Sequence, residues 1–324
     1  MKINGLTFDP PLILAPMAGV TGRAYRELIR QNNPGAVGLF YTEFASVEGL
    51  VRHNRPTLRL VTRAATDRAT PFAAQIFGAD PDRMREGGHI AEEMGADIVD
   101  LNAGCPAPKV VKKGGGSELL KKLPLLGRIV ASVKSGVRVP VTVKIRIGWD
   151  DDTINVLDTV RVLTENGADA VIIHGRTRMQ SFKGEADWNW VREVRARFTI
   201  PVIGNGDIVT PEQALARFAE TGAHGIMLGR GVQRDPWLFS KIAALARGLP
   251  PVEPSLEVRR GIFRRYAELL REDGLPEKAV LGVLKQLTVK FLRGRPGGAE
   301  IRTRALRSLE MDAFFSAAES YFEP

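Results

Sequence analysis

A chain of 324 residues with 44% hydrophobic and 26% charged residues has ordinary globular composition, which excludes a disordered or fibrous chain. Its single cysteine excludes a disulfide within the chain, and no apolar run approaches the roughly 20 residues that a membrane-spanning helix needs. A net charge of +9 suggests a polyanionic partner.

Met1-Lys2-Ile3-Asn4-Gly5 leads into a strand pattern without an apolar signal-peptide core, so the protein is expected to be cytoplasmic. From residue 12 to about residue 245, short apolar runs ending in Gly, Asn or Pro alternate with longer amphipathic stretches. Eight strands are predicted: Leu12 to Ala15, Ala36 to Tyr41, Phe72 to Phe77, Ala96 to Leu101, Val141 to Ile147, Ala170 to His174, Val202 to Asn205 and Gly225 to Leu228. Helices are predicted over Asp82 to Met94, Leu119 to Lys134, Thr153 to Asn166 and Thr210 to Thr221. Eight such units in this length predict an α/β fold of the (β/α)8 TIM-barrel type. A doubly wound open sheet is disfavoured, because no G-x-G-x-x-G follows the first strand.

After Gly248 the segment Leu249-Pro250-Pro251-Val252-Glu253-Pro254 reads as a stiff linker, and the remainder is helical in pattern. The expected organisation is a catalytic barrel over 1–248 and a small all-helical C-terminal domain over 255–324. Between Lys285 and Arg307 seven basic residues (Lys285, Lys290, Arg293, Arg295, Arg302, Arg304 and Arg307) face one acid, Glu300, giving +6 over 23 positions. That stretch carries most of the net charge.

Barrel chemistry belongs at the C-terminal ends of the strands. Here those ends carry Pro16-Met17-Ala18-Gly19, Gln75, Asn102 with Cys105, Lys144 with Arg146, His174 with Arg176 and Arg178, Asn205-Gly206-Asp207, and Gly229-Arg230-Gly231. Gly206 and Gly229 would let backbone N–H groups approach a ligand phosphate, and Arg230 would add charge. Alternation puts Lys144 and Arg146 on one face of their strand. An inward lysine fits either the electron-rich pyrimidine edge of a flavin or a Schiff-base chemistry. Cys105, between Gly104 and Pro106, is either a reacting thiol or a small buried hydrophobe. Four His and one Cys show no metal-ligand spacing, and no metal is expected.

Taken together, Ala15-Pro16-Met17-Ala18-Gly19-Val20-Thr21, Asp100-Leu101-Asn102-Ala103-Gly104-Cys105-Pro106, Lys112-Lys113-Gly114-Gly115-Gly116-Ser117, His174-Gly175-Arg176-Thr177-Arg178, Ala186-Asp187-Trp188, Asn205-Gly206-Asp207-Ile208, Gly229-Arg230-Gly231 and Pro236-Trp237 resemble the tRNA-dihydrouridine synthase family, nearest its bacterial B-type branch. The resemblance implies an FMN enzyme that reduces the C5–C6 double bond of a tRNA uridine with electrons from NADPH. It implies flavin contacts from Pro16, Met17, Ala18, Gln75, Lys144 and His174, and a phosphate grip from Asn205, Gly206, Asp207, Gly229 and Arg230. Hydride would reach C6 from flavin N5, and Cys105 would protonate C5. Asn102, Arg176 and Arg178 would hold the uracil or its phosphate. Lys285, Lys290, Arg293 and Arg295 would neutralise tRNA phosphates. A monomer is expected.

The chain departs from the family pattern at Gly22-Arg23-Ala24-Tyr25, at Glu118 and at Gln286, and these departures bear on which uridine is modified rather than on barrel chemistry. Three other readings compete. They are another FMN barrel acting on a small pyrimidine or enoate, a Schiff-base lyase built on Lys144, and a non-catalytic RNA-binding protein.

Overall fold

In the computed structural model, which describes residues 1–64, 70–294 and 296–322, the apolar runs form a closed parallel barrel. Its strands are β1 (Leu12–Leu14), β2 (Leu39–Tyr41), β3 (Phe72–Phe77), β4 (Ile98–Ala103), β5 (Val141–Arg146), β6 (Ala170–His174), β7 (Val202–Asn205) and β8 (Gly225–Leu228). Each pairs with its neighbours in chain order, and β8 pairs with β1, so no edge remains open. A two-residue strand, Ala45–Ser46, also lies along β3.

The register aligns the strand ends. Gln75 stands opposite Asp100, Asp100 opposite Thr142, Asn102 opposite Lys144, Arg146 opposite His174 and His174 opposite Asn205. Because side chains alternate, residues two apart share a face, and the interior fills in layers. Ile13, Leu39, Ala73, Ile98, Ala170, Ile172, Ile203 and Met227 form one apolar cluster. A short antiparallel hairpin, Lys2–Ile3 with Leu6–Thr7, adds Ile3 and Phe8 to it. The lower barrel is therefore a packed core, and above it a polar layer begins at Asp100 and Thr142 and continues to the strand ends.

The predicted strands stand in place, with shifted ends. β4 extends to Ala103, so Asn102 is part of the ladder rather than of the loop. The single helix expected over Leu119 to Lys134 is two pieces, a 3-10 turn Gly116–Lys121 and a helix Leu123–Gly136. Pro124 explains the break, since proline is tolerated only in a first turn.

The chain divides into two compact units. The first comprises residues 1–22, 36–208 and 213–229, and the second residues 23–35, 209–212 and 230–324. This boundary differs from the one expected at the proline linker. Helix Arg23–Asn32 joins the second unit because Tyr25 packs edge-on against Tyr266, with ring centroids 5.9 Å apart. The linker itself is tied down, since buried Lys241 pairs with Asp235 at 2.7 Å and with Glu253 at 2.6 Å. Phe263 meets Phe291 and Phe314 at 5.6 and 5.9 Å, giving this helical unit its own aromatic core.

Candidate active site

β4 carries Asp100 and Asn102 on one face and delivers Cys105 three residues beyond Asn102. The loop around the thiol is held from every side. Asn102 Oδ1 accepts from the N–H groups of Gly104 at 3.2 Å and Cys105 at 2.9 Å. Arg146 Nε donates to the Gly104 carbonyl at 3.0 Å, and Ser117 Oγ and N–H both donate to the Cys105 carbonyl, at 3.0 and 3.1 Å. Gly116, at φ +60°, lets that turn close. A Cβ there would lie 2.7 Å from the Cys105 carbonyl oxygen. Burial pushes the Cys105 thiol above its ordinary value, while the Ala107 N–H and the charges of Arg146, Lys109 and Lys144 pull the other way. Cys105 is thus a protonated, half-buried thiol in a fixed loop, suited to giving up a proton in a reaction.

Lys144 lies across from Asn102. Its Nζ donates to Asn205 Oδ1 at 2.8 Å, and Asn205 Nδ2 donates to the Met227 carbonyl at 2.8 Å, which fixes the amide's orientation. Burial first, and then repulsion by Arg146, lower Lys144 to about 8, against the pull of Asp100 and Cys105. A desolvated ammonium that spends one of its three N–H groups on a neutral amide retains donors for an electron-rich ligand. Buried His174 and Gln75 belong to the same polar layer. Gln75 Nε2 donates to Asp100 at 2.7 Å, and Gln75 Oε1 accepts from Asn102 at 2.9 Å.

The loop after β7 is built around Gly206 and Asp207, at φ +134° and +55°. A Cβ on Gly206 would come within 2.6 Å of Ala186 Cβ, so the fold itself demands glycine. Gly229 differs. A Cβ there would meet Ala15 and Met17 only at an ordinary 3.6 Å, so packing alone does not require its absence. Pro16, Met17 and Ala18 enter a tight turn in which Thr21 Oγ1 and the Met17 carbonyl and N–H bond one another.

Arg176 is placed differently from a substrate contact. It is buried, and its guanidinium forks onto Asp207 at 2.9 and 2.6 Å while also donating to the carbonyls of Lys183 at 3.0 Å and Gly184 at 2.6 Å. Asp207 also accepts from the Ala186 N–H. The pair braces the loops after β6 and β7 instead of reaching outward. Arg178, half-buried, stacks its guanidinium 4.6 Å from the Trp149 ring, and Lys121 Nζ lies 3.8 Å from the same ring. Glu118 pairs with Lys121 at 2.9 Å. Phe182 is 56% exposed beside Arg146 and His174.

In the second unit Lys290 and Arg293 are exposed, Lys285 is half-exposed, and Arg230 opens the helix Arg230–Arg234. Arg295 lies outside the described residues. Among the described residues no group of three or more His, Cys, Asp or Glu side chains could hold a metal, and no helix is long and apolar enough to cross a membrane.

Sequence reasoning passed over Asp100, Tyr41, Thr142 and Ser117 as site residues. The available signal was period-two alternation: Asp100 shares a face with Asn102, and Thr142 shares one with Lys144.

A closed (β/α)8 barrel with a fixed thiol, a desolvated lysine and a glycine-turned loop at one mouth defines a barrel enzyme with a proton-donating site. The dihydrouridine synthase (Dus) family matches residues 13–315, and the chain belongs to that family. It is 38% identical over 316 residues to a probable tRNA-dihydrouridine synthase of Mycobacterium tuberculosis, covering 94% of this chain and 80% of the relative. A Rickettsia prowazekii protein of the same description is 34% identical over 303 residues, covering 93% and 91%. The probable tRNA-dihydrouridine synthase 1 of Synechocystis is 41% identical over 242 residues, covering 75% and 67%. A solved 6-hydroxypseudooxynicotine amine oxidase from Pseudomonas geniculata shares the fold alone. Its TM-score is 0.58 at 16% identity, over 82% of this chain and 52% of that one.

Proposed function

We propose that this protein is a tRNA-dihydrouridine synthase that uses FMN and NADPH to reduce the C5–C6 double bond of a tRNA uridine. The observation that carries the reading is the pairing of Cys105, protonated in a loop fastened by Asn102, Arg146 and Ser117, with Lys144 across the same barrel mouth. The residues present fit a flavin. Lys144 has spare donors for the electron-rich edge of the ring, Gln75 retains one N–H beyond its bond to Asp100, and Gly229 leaves open a space that a Cβ would fill. Pro16, Met17, Ala18 and His174 would complete the ring contacts, and the loop Asn205-Gly206-Asp207 with Gly229 would take the phosphate. Within that loop Asp207 acts as brace through Arg176 rather than as a phosphate ligand.

A flavin held by these residues would supply the hydride for uracil C6. Cys105 Sγ gives its proton to C5, and the raised thiol pKa keeps that proton in place until it is needed. Asn102 has its Oδ1 committed to the thiol loop and one Nδ2 hydrogen to Gln75, so its second Nδ2 hydrogen would meet a uracil carbonyl. Arg178, held against Trp149, would take a neighbouring phosphate. Lys285, Lys290, Arg293 and Arg295, in a helical RNA-reading domain over 255–324, would supply the non-specific phosphate attraction. The protein would act as a cytoplasmic monomer. Incubation with unmodified tRNA, FMN and NADPH, followed by nucleoside mass spectrometry, tests the proposal. Dihydrouridine is expected, and unchanged uridine under conditions that reduce the flavin would refute it.

A further inference from the structure

The polar layer at the barrel mouth contains a buried carboxylate that the chemistry above does not use. Asp100 is fully buried and accepts from Thr142 Oγ1 and, at 2.7 Å, from Gln75 Nε2; Tyr41 Oη lies 3.5 Å from it and 3.3 Å from Thr142 Oγ1. From Asp100 a single directed chain runs to the backbone N–H of Cys105. Gln75 donates to Asp100, so its oxygen faces Asn102. Asn102 therefore donates to Gln75, and its own oxygen faces the N–H groups of Gly104 and Cys105. Each amide in the chain has one donor end and one acceptor end, so the first group fixes every later one.

We infer that Asp100 is a positioning residue that, as an acceptor at the head of the Asp100–Gln75–Asn102 relay, sets both amide orientations and thereby holds the Cys105 loop. An ionised acceptor at this point forbids Gln75 from turning its oxygen inward, because two oxygens would then face each other without a proton, so the constraint is full above the Asp100 value of about 7 and weakens below it. If Gln75 turned, Asn102 would present Nδ2 to two N–H groups, and the loop would lose both bonds on that side. What remains is the Ser117 anchor at the Cys105 carbonyl, the Ala107 N–H on its thiol and Arg146 on the Gly104 carbonyl. The burial of Asp100, which raises it to about 7, is tolerable because Thr142, Gln75, the Lys144 charge and Tyr41 all favour its ionised form. The inference deepens the proposed function, and rests on it for the role given to Asn102, but its effect on Cys105 is measurable without RNA.

The test uses full-length holoenzyme and two substitutions of similar size. Asp100→Leu removes the acceptor. Asp100→Asn keeps one, because its oxygen can face Gln75 while its amide donates to the hydroxyls of Tyr41 and Thr142. The readout is the rate of iodoacetamide alkylation of Cys105, the only thiol, as a function of pH, alongside tRNA turnover and the rate of flavin reduction by NADPH. For Asp100→Leu the freed loop exposes the thiol, so its apparent pKa falls by about one unit and alkylation near neutral pH rises roughly tenfold. tRNA turnover falls at least about tenfold with flavin reduction unchanged, and Asp100→Asn behaves as wild type in all three. Wild-type alkylation in Asp100→Leu would overturn the inference, as would equal damage in both variants. If Asp100→Leu does not fold, Gln75→Met cuts the same relay at its middle. It must then show the faster alkylation, and an unchanged profile overturns the inference. Absence of tRNA turnover in the wild-type enzyme would remove the proposed function while the alkylation profile still judges the relay.

Discussion

Substituting Arg176 by Lys keeps the charge and removes the fork. In the native loop the guanidinium makes four bonds of 2.6 to 3.0 Å, two to Asp207 and one each to the carbonyls of Lys183 and Gly184. A lysine ammonium can follow the carboxylate but not reach the two carbonyls as well, and because Lys183 and Gly184 are exposed enough for water to replace the donor in part, each lost bond costs about 0.5–1.5 kcal/mol. Asp207 is about one-third exposed, at 34%, so water recovers part of its loss. The net cost is therefore about 1–3 kcal/mol, which lowers the melting temperature by roughly 2–5 °C for a chain of 324 residues. Thermal unfolding by circular dichroism measures it, with Arg197→Lys as control because that pair with Glu193 is an exposed helical one. Arg176→Lys should also release flavin more readily, since the loop Asn205-Gly206-Asp207 loses its brace. An unchanged melting temperature together with a raised KM for tRNA would refute the reasoning and return Arg176 to substrate contact.

Cys105→Ala is expected to abolish tRNA reduction by about 10²–10⁴-fold while NADPH still reduces the flavin at the wild-type rate, as stopped-flow absorbance would register. Lys144→Met should weaken FMN binding about 10–100-fold by fluorescence titration, from the loss of one charge-assisted bond. Because burial holds Lys144 at about 8, below its ordinary value, its contribution to stability is lost as pH falls through 8. FMN affinity runs the opposite way. It needs the ammonium, and should decline as pH rises through that value. Gly204→Ala would put a Cβ 2.1 Å from the Trp188 ring and should destabilise the barrel by about 1–3 kcal/mol in a denaturant titration. Charge reversal at Lys290 and Arg293 should reduce the salt dependence of tRNA affinity by about one unit of slope per contact, measured by filter binding across ionic strengths.

Much of the barrel was legible because each strand is a short apolar run closed by a turn residue, and such runs survive as buried strands whatever surrounds them. Asn102, Cys105 and Lys144 were legible for a related reason, being polar residues at the ends of apolar runs. Arg176 looked the same in the sequence, yet its partner lies 31 positions away in Asp207, and no local pattern predicts that pairing. The relay from Asp100 was hidden likewise, since it joins β3 and β4 through register, a property of the closed barrel rather than of either strand. The assignment of helix Arg23–Asn32 to the second unit follows from contact between Tyr25 and Tyr266, again beyond the reach of periodicity. Stacking of Arg178 and Lys121 on Trp149 brings together two loops and a 3-10 turn that only the strand order sets side by side.

In the proposed function electrons pass from NADPH to tRNA through a flavin held at this barrel mouth. Anaerobic absorbance spectroscopy of the FMN-loaded protein follows both half-reactions. NADPH is expected to bleach the flavin band and unmodified tRNA, added afterwards, to restore it, with Cys105→Ala bleaching normally but failing to recover. A flavin that NADPH reduces and tRNA leaves reduced in the wild-type protein, or a protein that cannot be loaded with FMN, would contradict it.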